Sequence, residues 1–340
     1  MNTISKKKKT FRVTEELFIY LEEFGRIETL PFNYTDLLRY NTSYPLRDKQ
    51  GKDTFWETVF FNPGEMEEIN QKLVQTYAIL KVEGNLAFMD HLYVDRIDYC
   101  PFGNSKPFRI RIKNQYNDNF DYYYVKLADA SRVYGLEFED ILSPNRINYL
   151  VDVETLVEEH IIGIPGDQFI KNNLESEEVN HTRLAKEFIK FNERCFVRLL
   201  GDMRSYNFVI DMTADFDDTQ FRFRAIDFDQ QCYEGRKSMY LPQYFKENNP
   251  FVNLCMKYIN AETVKQYQLE EKYLMARRVR TARYRLANLL DVMMREEISL
   301  PDKVKSLRQE LAKHYQRDYF LKCRNMGEIM RTSLEVLLEH

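Results

Sequence analysis

The chain has 340 residues, enough for two packed lobes or two domains. Charged residues make up 30% of it and the net charge is −4, so bulk electrostatics draws it toward neither nucleic acid nor membrane. No apolar run approaches the roughly 18 residues of a transmembrane helix, and the five scattered cysteines form no CxxC pair, which argues against a zinc site or disulfide framework and for free thiols in a reducing cytoplasm.

Lys6 to Lys9 have no apolar segment behind them and are expected to be a short solvated tail rather than a secretory signal. Residues 11–80 read as mostly helical. The clearest case is Glu65 to Lys81, where Ile69, Leu73, Tyr77 and Leu80 recur at helical spacing behind the turn Asn62-Pro63-Gly64. The period then changes. His91 to Cys100, Pro107 to Lys113 and Asp121 to Leu127 are expected to form three strands of an antiparallel meander. In the second, Phe108, Ile110 and Ile112 share one face, and Arg109, Arg111 and Lys113 share the other. A helix is expected over 150–162, stopped at Gly163-Ile164-Pro165-Gly166, and another over about 178–194. Phe208 to Met212 and Phe221 to Phe228 read as two strands joined by the acidic turn Asp215 to Asp218. From about 240 onward the chain reads as mostly helical. Five arginines between Arg277 and Arg285 spread around a helix and are expected to be solvated.

The pattern predicts an α+β fold with a small antiparallel sheet lobe followed by a larger helical lobe. The expected organisation is a helical N-terminal extension over 1–83, the sheet lobe over 84–166 and the helical lobe over 167–337.

Transfer of a γ-phosphoryl group needs positioning and charge neutralisation more than covalent chemistry. A lysine must hold phosphates, a carboxylate must hold the lysine, oxygen ligands must hold magnesium, and one more carboxylate must take the acceptor's proton. The sequence offers a candidate for each. Gly201-Asp202 to Asn207 places an Asp and an Asn five residues apart just before a strand. Ile226-Asp227-Phe228-Asp229 places a second Asp at the end of the next strand, and a hairpin would bring Asn207 and Asp227 side by side. Asp229 is either a supporting carboxylate or a solvated one. Upstream, Tyr124-Val125-Lys126 ends the third strand of the meander, and Glu154 and Glu158 follow in the expected helix.

These segments resemble the protein-kinase-like superfamily, in particular its aminoglycoside- and choline-phosphotransferase branch. Gly201 to Asn207 looks like that branch's H-G-D-x-x-x-x-N loop, Ile226 to Asp229 like its I-D-F-[DE] form of the D-F-G motif, and Tyr124 to Lys126 like the strand with the phosphate-binding lysine. The resemblance implies ATP and Mg2+ as cofactors, Asp202 as catalytic base, Asn207 and Asp227 as magnesium ligands, and Lys126 on the phosphates. It implies Glu154 as the partner of Lys126, with Glu158 as the runner-up. The turn Pro101 to Lys106 stands where the family has its glycine-rich phosphate cradle and supplies one glycine, Gly103.

The sequence departs from the family pattern where Leu200 replaces the histidine, and about 36 residues separate Pro165 from Asp202. The expected activity is transfer of phosphate from ATP to a hydroxyl of a small molecule or protein. The alternative is a pseudokinase-like nucleotide-binding or scaffold protein without turnover.

Overall fold

A computed structural model describes residues 8–82, 89–214 and 219–339. The fold is α+β, and the chain divides into two compact units. The first comprises the chain up to Ala130 together with Ile147–His160. The second comprises Ser131–Arg146 and the chain from Ile161 onward.

The first unit begins with α1 (Glu15–Glu23), α2 (Tyr34–Leu37), β1 (Thr42–Arg47), β2 (Asp53–Phe60) and α3 (Pro63–Val82). The meander β3 (Leu92–Tyr99), β4 (Phe108–Asn114) and β5 (Phe120–Leu127) follows. Then comes α4 (Ala130–Leu142), nearly all of it in the second unit, before the chain returns with β6 (Tyr149–Asp152) and β7 (Thr155–Glu159). All seven strands form one antiparallel sheet in the order β1-β2-β3-β4-β5-β7-β6. One face of this sheet packs under α2 and α3. Phe108, Ile110 and Ile112 are at most 2% exposed there, against Leu73, Leu80 and Leu37. Each such side chain stabilises the fold by about 1.5–3 kcal/mol on burial. On the other face Arg109 donates to the fully buried Asp98 at 2.8 Å and stacks over Trp56.

Two expectations for this unit are overturned. The stretch 11–80 is not mostly helical, because β1 and β2 extend the sheet. They escape periodicity because β1 is the sheet edge, where Pro45 costs no central ladder bond, and because Phe55 in β2 sits at φ 62°. Residues 150–162 form no helix but the β6–β7 hairpin. Its two-residue turn, Val153-Glu154, carries no Gly, Asn or Asp to announce it, and Val153 takes a left-handed φ of 50°.

A left-handed β-branched residue is costly, and Val153 is 63% exposed with no burial to offset the strain. Val153→Asn is therefore expected to raise stability by about 1 kcal/mol in urea unfolding. An unchanged or lower midpoint would refute the strain argument. The basic tail also differs from expectation. Lys6 and Lys7 lie outside the described residues, but Lys8 is buried, its Nζ 2.7 Å from Asp129.

The second unit adds β8 (Ile164–Pro165), α5 (Gly166–Asn172), α6 (His181–Val197), β9 (Phe208–Ala214) and β10 (Thr219–Ala225). It ends in α7 (Asn249–Tyr258), α8 (Ala261–Thr281), α9 (Arg283–Met293), α10 (Pro301–Tyr315) and α11 (Met326–Leu338). The expected hairpin is β9–β10, and the acidic turn Asp215 to Asp218 lies outside the described residues. Phe188 and Phe191 of α6, Phe208 of β9, Phe223 of β10 and Phe251 of α7 form an aromatic core, with ring centroids 5.2–6.0 Å apart. Such ring pairs add about 0.5–1.5 kcal/mol each beyond burial, so the hairpin is anchored at the end nearest Asn207.

Helix α4 was not expected from sequence. It is buried on nearly every side. Its charges are paired instead: Glu137 accepts from Arg285 at 2.6 Å, and Glu139 contacts the fully buried Arg198. Arg285 and Arg278, which pairs with Glu271, thus leave the set of arginines expected to be solvated. Among the described residues, no helix is long and apolar enough to cross a membrane.

Candidate functional site

Helix α6 is capped by Asn180, whose Oδ1 accepts from Arg183 N, and it runs straight toward the Asp202 loop. Beyond it the chain turns sharply at Leu199, φ 54°. Leu199, Leu200 and Gly201 then pair with the segment that follows β10. Cys232 N donates to Leu199 O at 2.8 Å, Gly201 N donates to Gln230 O at 3.2 Å, and Leu200 bridges Gln231. At the other end Ile226 N donates to Asn207 O at 3.0 Å, continuing the β9–β10 ladder. The Asp202 loop and the Asp227 loop are therefore tied to each other at both ends. A side chain at Gly201 would press on Gln230 O at 3.1 Å, which explains the glycine.

Asp202 sits at φ 59°, and with Leu199 and Cys232 (φ 49°) it makes three left-handed non-glycine residues within these two loops. Backbone strain of this kind gathers at functional sites because the surrounding structure must hold it. Here the holding groups are explicit. Asn207 Nδ2 donates to Asp202 O at 2.8 Å, and Asp202 N donates to Met239 O at 3.0 Å. Asn248, fully buried, donates to both Met203 O and Pro242 O. Arg204 bridges the Asp202 carboxylate at 2.8 Å and Glu247 at 2.7 Å, with its guanidinium over Phe245. Burial pushes the Asp202 carboxyl above its usual range, and Arg204 pulls against that shift.

Asn207 is 9% exposed, and its amide nitrogen donates to the Asp202 carbonyl, which leaves its amide oxygen as the remaining electron-pair donor. Asp227 follows directly on Ile226, the residue opposite Asn207, and is one-third exposed. Among the described residues there is no cluster of three or more His, Cys, Asp or Glu able to hold a metal. The Asn207 amide and the Asp227 carboxylate each offer oxygen, the donor type magnesium takes, and magnesium usually keeps water and phosphate oxygens in the rest of its shell.

Helix α4 supports the Asp227 loop from behind. Arg132 Nη1 lies 3.0 Å from Asp227 Oδ1 and 2.7 Å from Asp229 Oδ1, and Ser131 Oγ donates to Gln231 O at 2.6 Å. Gly135 lets Phe228 close in, since a Cβ there would stand 2.8 Å from Phe228 Cβ. Asp229 is 6% exposed, so it is a buried supporting carboxylate and not a solvated one.

No family model matches the chain, and no curated protein does.

The first unit holds the other sequence candidates. Lys126 is the penultimate residue of β5 and is 7% exposed. Its Nζ lies 2.7 Å from Glu158 on β7, with Tyr124 beside it. The register explains the contact: Tyr124 is opposite Glu158 and Lys126 opposite Leu156, so Lys126 and Glu158 are diagonal neighbours on one sheet face. Glu154, the first choice from sequence, is not the partner. It sits in the β6–β7 turn with a 57% exposed side chain, 3.9 Å from Arg12. Gly103 does not head an open cradle either. A Cβ there would come 2.8 Å from Pro107 Cδ, so the tight turn itself requires the glycine.

Sequence reading missed Arg132, Glu247 and Asn248. Arg132 stands 95 positions before Asp227, so no local spacing could link them. Arg204 lies inside the Gly201–Asn207 segment, and a cation two residues from the candidate base was a readable signal.

Proposed function

We propose that the protein is an ATP- and Mg2+-dependent phosphotransferase of kinase-like, two-lobe type, acting on a hydroxyl of a small molecule or protein in the cytoplasm. The observation that carries this reading is the pair of tied loops, with Asp202 held in a left-handed turn by Asn207, and Asn207 paired through its backbone with Ile226, the residue before Asp227. Asp202 would accept the acceptor's proton, and Asn207 and Asp227 would hold magnesium. When bound, magnesium supplies neutralisation of phosphate charge. Lys126, 2.7 Å from Glu158, is the candidate for phosphate contact within the first unit.

The test is transfer of label from ATP. With Mg2+, a γ-labelled phosphate is expected to pass to an acceptor or to the protein itself, and an α-label is not. Nucleotidyl transfer would reverse that pattern. No stabilisation of the fold by Mg2+ with ATP, in a thermal-shift titration, would remove the nucleotide site altogether.

A second reading has its own observation. Arg204 stands on the Asp202 carboxylate and Arg132 on that of Asp227, and Leu200 is buried where the resembling family has histidine. These contacts favour a nucleotide-binding protein without turnover. Stabilisation by Mg–ATP with no label leaving the γ-position would select it.

A further inference from the structure

We propose that Arg132 is a positioning residue that makes divalent-cation binding at Asp227 conditional on nucleotide. The inference rests on the metal reading above and concerns what sets the charge of that site.

Asp227 and Asp229 alone would carry two negative charges into one loop. Arg132 is 2% exposed and reaches both, 3.0 Å from Asp227 Oδ1 and 2.7 Å from Asp229 Oδ1. Asp229 N donates to the same Asp227 Oδ1 at 3.0 Å, so carboxylate, guanidinium and backbone form one locked group. The guanidinium side chain is itself only 2% exposed. It is carried on a buried helix whose Gly135 is in close contact with Phe228, between the two aspartates.

These three side chains together sum to −1, and Arg132 keeps a positive charge next to the carboxylate offered to the cation. A dication arriving alone meets that charge in a poorly screened setting. A nucleotide's phosphates add the missing negative charge and oxygen donors. The cation then binds with the nucleotide and only weakly by itself, which is a coupling free energy between two ligands.

The probe is Mn2+, followed by the electron paramagnetic resonance signal of the free ion, on the full chain with and without ATP. Arg132→Gln keeps an N–H donor and removes the charge. It is expected to bind Mn2+ without ATP roughly tenfold or more tighter than the unaltered protein, and Arg132→Lys is expected to return to the unaltered value. Asp229→Asn shifts the charge the other way and is expected to weaken Mn2+ binding measured with ATP. Simple loosening of the loop would weaken both variants, so opposite directions are the signature. Equal or weaker Mn2+ binding by Arg132→Gln, while the unaltered protein still binds Mn2+ with ATP, overturns the role of Arg132 alone. If Arg132→Gln does not fold, Asp229→Asn decides, and unchanged or tighter binding overturns the proposal. No Mn2+ binding by the unaltered protein in either condition removes the metal site and this inference with it.

Discussion

Asp202→Ala is expected to lower phosphoryl transfer by about 10²–10⁴-fold, the usual contribution of a positioned general base. Binding of Mg–ATP should persist, because Asn207 and Asp227, proposed to hold the magnesium, are unchanged. Asp227→Ala should do the opposite and lose Mg–ATP binding itself. The pH dependence follows from the surroundings of Asp202. A base works unprotonated, so the rate rises with pH through its pKa. Burial holds that pKa above the usual 3.8, and the Arg204 guanidinium at 2.8 Å lowers it again. Arg204→Met removes the lowering influence, so the acid limb of the kcat profile should move to higher pH. A limb that stays in place, or moves down, would show that Asp202 is not the titrating base.

Glu158→Ala is expected to cost about 3–5 kcal/mol of stability, because it leaves the Lys126 ammonium buried without its carboxylate. Both side chains of this pair are more than nine-tenths buried. Glu154→Ala should change stability by less than about 0.5 kcal/mol, since its contact with Arg12 is long and solvent-exposed. Urea unfolding of the two variants measures the contrast directly. A large loss in Glu154→Ala, or none in Glu158→Ala, would contradict the assignment of the Lys126 partner. If Lys126 also serves the nucleotide, Glu158→Gln should weaken Mg–ATP binding as well as the fold, because a neutral amide no longer fixes the ammonium.

Local pattern carried far where burial is one-sided. Alternation of Phe108, Ile110 and Ile112 with arginines predicts β4 because one sheet face is fully buried and the other only half-buried. The spacing of Leu73 and Leu80 predicts α3 for the same reason. Pattern failed where burial is two-sided or where a turn is made by the wrong residue. Helix α4 is buried on nearly every side, and the β6–β7 turn has Val153 where a glycine or asparagine would have signalled it. Reading 150–162 as a helix then put Glu154 and Glu158 one turn apart. In the structure Glu154 is in the β6–β7 turn and Glu158 is on β7, and only Glu158 reaches Lys126.

The loop from Gly201 to Asn207 and the run from Ile226 to Asp229 were determined by sequence alone, since both are contiguous and a hairpin must bring their ends together. Their surroundings were decided by tertiary structure. Asp227 is paired with Arg132, 95 residues earlier, and the Asp202 loop is held by Glu247 and Asn248, more than 40 residues later. Contacts of that kind join residues with no shared period or spacing. They exist because burying a charge or a backbone carbonyl demands a partner, wherever along the chain that partner lies.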